Sequence, residues 1–526
     1  VPIHVSFVNT VWILHVSSWF LRIGYGHHMK TVLITLDSLN RHFLDLYGGP
    51  VALRSLSRLA GDGRTFEKHF TASAPCMPAR REILTGTLEL RHRGWGPLEP
   101  FDRTLPQMLA ASNVPSMLIT DHYHYFEDGG ENYHVDFTGY ELVRGHEVDN
   151  WKSNPVTEGV VNPLTHTRPA YERNRRTFEN PSDYPAARTF AAAERWVREN
   201  TETESFFLYV DEFDPHEPFF VPEEYLDSGD HSGYDGARLE GPKYGTWRGS
   251  ETELAHLRAR YTAKLLFLDD LLSSFLDLLT SLDLYEETTI IVTTDHGHYL
   301  GEHGQIGKPG TDNWNTLFHL PMVCKPAAAI AGDRGVRVDA LTTTPDLCAT
   351  IADLHGSDYD GSLYGTSFLP LLIGEAERTR DYVLYGYYGG QIGYCDGIHT
   401  FLKRPAESNE PLYLYSTKLS THPGKTRRLQ ELVRSSQDLE LGRFLEDVDY
   451  PVMRLAVPTD ARLSWYSAGY MPDTAFDLNA DQEQQRPLRD PKLLDRLRAD
   501  LAAAMRRERF PHEHFDRLVL NKEERS

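Results

Sequence analysis

Four times along the chain a short run of apolar, mostly β-branched or aromatic residues stops abruptly at acids and histidines. The run from Thr31 to Leu36 ends in Asp37-Ser38, and that from Pro115 to Thr120 ends in Asp121-His122-Tyr123-His124. Ser205 to Val210 ends in Asp211 with His216 close behind, and Thr289 to Thr294 ends in Asp295-His296. Runs this short and this apolar are expected of strands buried on both faces, the habit of parallel sheets. Between them the period changes to three and four. Leu254, Leu257, Tyr261, Leu265, Leu268, Leu272, Phe275 and Leu279 mark one face of a long crossover helix leading to the strand that carries Asp295. The pattern predicts an α/β fold: a large mixed, mostly parallel sheet sandwiched by helices. One aspartate after a strand is usually a helix cap. Four polar clusters at the same end of four strands instead predict one crevice at the carboxyl edge of the sheet.

The texture changes near residue 375. Residues 382–394, 399–403 and 411–415 read as short, tyrosine-rich antiparallel strands, and Leu494, Leu497, Leu501 and Met505 as a last amphipathic helix. A chain of 526 residues is long for one core. We therefore expect a catalytic α/β domain over 29–375 and a smaller C-terminal α+β domain over 376–526. Residues 1–28 fit neither. The apolar run from Phe7 to Phe20 is too short and too polar to span a bilayer and lacks the features of a signal peptide. Met29-Lys30, just before the first strand, reads as a natural start, so the expectation is a cytoplasmic protein without a membrane partner. Residues 140–180 and 226–250, rich in Gly, Pro, Asp and Asn, read as long loops over the crevice.

A net charge of -22 speaks against nucleic acid as a partner, though not against a small anion held by a local field. Four cysteines, at 76, 324, 348 and 395, are too scattered for a disulfide framework or a zinc site. One of them stands out. Pro75 and Pro78 bracket Cys76, Ala79 to Leu84 are good helix formers, and Gly86 is a stop. Cys76 is thus expected just before a helix N-terminus, where amide donors and the helix dipole favour an anion. That makes it a nucleophile candidate, the alternative being a small thiol buried under a turn.

Cys76-x-Pro78-x-Arg80, with Ser73-Ala74-Pro75 before it and Leu84-Thr85-Gly86 after it, resembles the signature of the type I sulfatases of the alkaline phosphatase superfamily. The segment from Asp295 to Lys308 is similar to that family's second signature, and Thr474 to Asp481 resembles its closing segment. The resemblance implies that a formylglycine-generating enzyme oxidises Cys76 to formylglycine, whose hydrate attacks sulfur and expels an alcohol. It also implies a divalent cation, Ca²⁺ before Mn²⁺ or Mg²⁺, held by Asp37, Asp295, His296 and the residue at 76. By the same match Arg80 holds the hydrated aldehyde, Lys308 a peripheral sulfate oxygen, and His216 the substrate. His122 and His124 stand where the family pairs a lysine with a histidine. His216 or Lys308 would protonate the alcohol, and His122 or His124 would act as base. His298, Asp312 and Asn313 are expected around this set. Two departures matter: Ser38 stands in place of a second acid and His296 in place of an asparagine, as in relatives acting on phosphonate esters. The expected substrate is a small sulfated ester. The alternative is a phosphonate monoester or phosphate diester, and a third reading is a silent binding protein. With His122 replacing a lysine, the charge of the crevice is expected to follow pH. A homo-oligomer is compatible with all of this.

Overall fold

The computed structural model describes residues 28–156, 161–166, 168–226, 233–361, 363–418, 439–457 and 469–521. Nearly all of the N-terminal stretch set aside above, residues 1–27, lies outside the described residues.

Eight strands make the large sheet: β1 (Lys30–Leu36), β2 (Arg64–Phe70), β3 (Ser116–Thr120), β4 (Gly139–Leu142), β5 (Phe206–Glu212), β6 (Thr288–Thr293), β7 (His319–Lys325) and β8 (Val336–Thr343). Their order is β8-β2-β7-β6-β1-β5-β3-β4. All run parallel except β7, which is antiparallel to β2 and to β6. The α/β architecture is the one expected from the apolar runs. The four strands that end in acids and histidines are neighbours in the middle of the sheet, in the order β6-β1-β5-β3. Thr35 lies in register with both Asp211 and Thr293, so the polar clusters sit side by side. β5 runs two residues further than its apolar run, which places Asp211 and Glu212 within the strand.

Helices cover both faces. Side chains alternate along a strand, and β1 shows the consequence. Val32, Ile34 and Leu36 pack with the helices α2 (Pro185–Glu199) and α3 (Glu251–Ser281), while Leu33 faces α1 (Cys76–Thr85) and α4 (Pro345–Leu354). Each such aliphatic side chain, fully buried, contributes about 1.5–3 kcal/mol. The long crossover helix is α3, started by a capping box between Ser250 and Glu253. Two elements fall inside a stretch expected to be loop. These are β4, a parallel edge strand beside β3, and a helix at Pro169–Arg175 with proline in its first turn.

The C-terminal residues build a five-stranded sheet of β9 (Val383–Tyr387), β10 (Ile392–Cys395), β11 (His399–Lys403), β12 (Thr474–Asp477) and one further strand. That further strand is Ser73–Ala74, which pairs in parallel with Gly386 and Tyr387. The small sheet therefore holds the two residues that lead into Pro75 and Cys76. Helix α5 (Pro491–Arg507) packs on this sheet through Leu497, Leu501 and Met505. Among the described residues no helix is long and apolar enough to cross a membrane.

Candidate active site

Helix α1 begins at Cys76 itself, three residues earlier than its composition suggests. Pro78 is tolerated because first-turn amides have no intrahelical acceptor, and Ala79 N donates to Pro75 O (3.2 Å) to close the turn. Gly86 ends the helix at φ 69°. The approach to the cysteine is tied down by Glu82. Its carboxyl group accepts from Ser73 N (2.9 Å), Glu89 N (3.1 Å), Thr344 Oγ1 (3.0 Å) and the Ser73 hydroxyl. Burial pushes Glu82 up to about 8.

Around Cys76 the strand ends converge. Its Sγ lies 3.3 Å from His296 Nε2 and 3.2 Å from Lys308 Nζ, and Lys308 Nζ is 3.8 Å from Asp37 Oδ1. Arg80 is enclosed by three carboxylates: Asp211, to which it makes a two-pronged contact (2.9 Å twice), Asp295 (2.5 Å) and Asp37 (3.0 Å). Ser38 N donates to Asp295 Oδ1 (3.2 Å), and Ser38 Oγ donates to Asp37 Oδ1 (2.8 Å). In the sequence Asp211 is only an acid at a strand end. Its partnership with Arg80, 131 positions away, has no local signal.

A divalent cation fits this donor set. One ligand atom each from Asp37, Cys76, Asp295 and His296 lie within 4.8 Å of one another, and all four residues are buried. His296 Nδ1 donates to the Gly297 carbonyl (2.7 Å), which leaves Nε2 with its lone pair facing the cluster. Asp37 Oδ2 is buried, with Arg80 Nη1 3.0 Å away but no well-aligned hydrogen bond. Two carboxylates and an imidazole are hard, anionic-leaning donors suited to such an ion. Residue 297 has to be glycine here, since a Cβ would come within 1.9 Å of the Thr316 carbonyl oxygen, and His296 would be displaced.

The charges follow from the packing. Burial opposes the Asp37 carboxylate, but Lys308 and Arg80 together hold it well below its ordinary range. Burial likewise opposes the ammonium of Lys308, yet Cys76, Asp37 and Glu217 keep it protonated. Burial first, then Asp37, pushes the Cys76 thiol well above its usual value. The histidines behave differently from the expectation. Burial, with Arg80 for His122 and Lys308 for His124, pushes both down to about 3, and burial also lowers His216 and His296. These imidazoles are neutral near pH 7, so the crevice does not change charge there through them.

A cavity of about 410 Å³ opens from Cys76, with His124, His216 and Lys308 on its wall and Trp95, Tyr123 and Tyr244 around it. The stretches expected to overhang the crevice supply Glu147, Thr165, Arg168, Arg238 and Glu240 to its lining. His122 is not on that wall. It packs against Phe213 and lies 3.5 Å from Asp37 Oδ2, behind the metal-ligand cluster. His216 Nδ1 donates to the Glu217 carbonyl, and Lys264 donates to the His216 carbonyl (2.7 Å). His298 is buried 3.6 Å from Glu217. Asn313 and Asp312 contact Gln391 (2.8 and 2.9 Å), tying the segment after Lys308 to the turn between β9 and β10.

The sulfatase family model matches residues 30–357, and the chain belongs to the sulfatase family. It is 25% identical to the multifunctional alkaline phosphatase superfamily protein PehA of Trinickia caryophylli over 384 residues, 60% of this chain and 71% of that one. It is 24% identical to the choline-sulfatase of Rhizobium meliloti over 414 residues, 69% and 75% of the two chains. Its fold is that of the phosphonate monoester hydrolase of Agrobacterium radiobacter, with a TM-score of 0.59 at 19% identity over 91% of this chain and 95% of that one.

Proposed function

We propose that the chain hydrolyses sulfate esters, with Cys76 oxidised to formylglycine as nucleophile and a divalent cation, Ca²⁺ first, beside it. The observation that carries this reading is the position of Cys76 Sγ, in contact at once with the metal-ligand face at His296 and the anion-binding cation Lys308. An unmodified thiol is a poor nucleophile there, because its environment keeps it protonated. A hydrated aldehyde at the same position supplies an oxygen nucleophile instead. A cation bound by Asp37, Asp295 and His296 supplies Lewis acidity towards the ester oxygens. Arg80 is locked in place and gives the nucleophile's oxygen a fixed donor. Lys308 binds a peripheral oxygen and, being protonated, is the acid that delivers a proton to the alcohol. His216 is neutral and already donates its Nδ1 proton to a carbonyl, so its free Nε2 accepts rather than supplies a proton. His124, on the cavity wall with Nδ1 against Glu127, is the base, and His122 supports Asp37 from behind.

The test is expression beside a formylglycine-generating enzyme, peptide mass spectrometry at position 76 and turnover of an aryl sulfate. An aldehyde at 76 and loss of essentially all turnover in Cys76→Ala are expected. A Cys76→Ala protein as active as its parent would overturn the reading. The second reading, hydrolysis of a phosphonate monoester at the same site, rests on Ser38 and His296 and on the likeness to a phosphonate monoester hydrolase. It replaces the first if kcat/KM for an aryl methylphosphonate exceeds that for every sulfate ester tried.

A further inference from the structure

We infer that the subsite for the released alcohol selects a leaving group with a cationic amino group, held by Glu127, Glu147 and Glu217; this rests on the sulfatase reading. All three line the cavity that opens from Cys76. Among the described residues none of them forms an ion pair with a lysine or arginine. Glu127 meets His124 Nδ1, Glu147 accepts from Tyr123 OH (2.6 Å), and Glu217 Oε1 accepts from Tyr244 OH. Glu217 Oε2 has no hydrogen bond at all, although the residue is only 7% exposed. The ring nitrogens nearest to it, His216 Nδ1 at 3.4 Å and His298 Nδ1 at 3.6 Å, belong to imidazoles that burial keeps neutral.

Lys308 favours the charged forms of Glu217 and Glu147 from beyond ion-pair distance, and the other described cations of the cavity form no ion pair with these carboxylates. Glu240, the fourth acid, is met by Arg260 (3.1 Å) and Arg175 (3.5 Å). Arg238 is tied to Glu172, Lys308 faces Cys76, and Arg168 is exposed. Burial pushes Glu127 up to about 8 and Glu147 up to about 7, so a ligand cation that enters beside them supplies the counter-charge that favours their ionised forms. The aromatic rings of Tyr123, Tyr244 and Trp95 add faces that attract a cation. A second anionic group on the alcohol would instead meet the Glu217 carboxylate and gain no counter-charge from Glu127 and Glu147, which burial pushes up to about 8 and about 7. The volume, near the lower end for ligand sites, suits a small alcohol.

The experiment compares kcat/KM of the modified, metal-loaded enzyme for 4-(aminomethyl)phenyl, 4-ethylphenyl and 4-(carboxymethyl)phenyl sulfates, which differ mainly in charge. The cationic ester should exceed the neutral one by about tenfold, and the neutral should exceed the anionic. Glu147→Gln should bring the first ratio towards one, and Glu147→Lys should favour the anionic ester. A parent ratio at or below one, with the neutral ester still hydrolysed, overturns this inference and leaves the sulfatase reading standing. If only phosphonates are hydrolysed the sulfatase reading fails. The same three phenols as methylphosphonates then decide the charge preference, with the same ratio as the criterion.

Discussion

Arg80 sits between Asp37, Asp211 and Asp295, every one of the four fully buried, and its place in the cluster depends on carboxylates that do two different jobs. Asp37 and Asp295 also belong to the group that can hold a metal, whereas Asp211 does not. Removing one partner of a buried pair leaves an uncompensated charge and costs about 3–5 kcal/mol. Two substitutions separate these jobs. Asp295→Ala should abolish metal retention together with turnover. Asp211→Ala should keep the metal, lower turnover at least about tenfold through a loosened Arg80, and recover in part as Asp211→Asn. Metal analysis of the dialysed proteins beside aryl sulfate turnover checks both. An Asp211→Ala protein with full turnover would remove Arg80's anchoring from the account.

At the scale of elements, Cys76 is positioned by three pieces far apart in the chain. The Ser73–Ala74 strand is clamped to β9, α1 starts at the cysteine, and Glu82 on α1 reaches back to Ser73 and across to Thr344 at the start of α4. Read in the sequence, Glu82 is an ordinary residue of a helix. In the fold its two oxygens join these pieces by accepting from Ser73 and Thr344, and burial pushes it up to about 8. Glu82→Ala strands several buried donors, so unfolding stability should fall by about 3 kcal/mol. The fraction of Cys76 converted to aldehyde in the recovered protein should fall with it, and Glu82→Gln should be milder in both. Denaturant titration and peptide mass spectrometry read the two effects. Parent-like stability in Glu82→Ala would show that the clamp alone sets the loop.

Across the whole molecule burial decides charge. His355 and His69, remote from the metal-ligand cluster, are pushed down to about 3 by burial, and in the unfolded chain each takes up a proton near ~6.5. The unfolded state therefore binds more protons between those values. This contribution to stability is fully present above pH ~6.5 and is lost as pH falls towards 3. Glu82 and Asp121, raised by burial to about 8 and about 6, act in the opposite direction, so the net slope does not isolate the histidines. The difference between parent and His355→Gln does. Between pH 7.5 and 5.0 the variant should lose less stability than the parent, by up to ~2 kcal/mol. Identical pH slopes in the two proteins would show that His355 titrates normally in the fold.

Hydrophobic period and punctuation are local, and what depends on them was readable directly. The runs before Asp37, Asp121, Asp211 and Asp295 are apolar on both faces, so they had to be covered on both sides, and a parallel sheet with one polar edge follows. The prolines around Cys76 and the 3.6-residue stripe of α3 are of the same kind. The tertiary structure decided the rest. β7 enters against the direction of its neighbours, and β4 forms in a stretch too polar to announce a strand. Arg80 finds Asp211, Glu82 finds Thr344, and Ser73–Ala74 joins a sheet made from residues more than 300 positions later. Even the protonation of His122 and His124 belongs to this level. A histidine's type is written in the sequence, but its charge is set by how much water and which other charges the folded chain leaves around it.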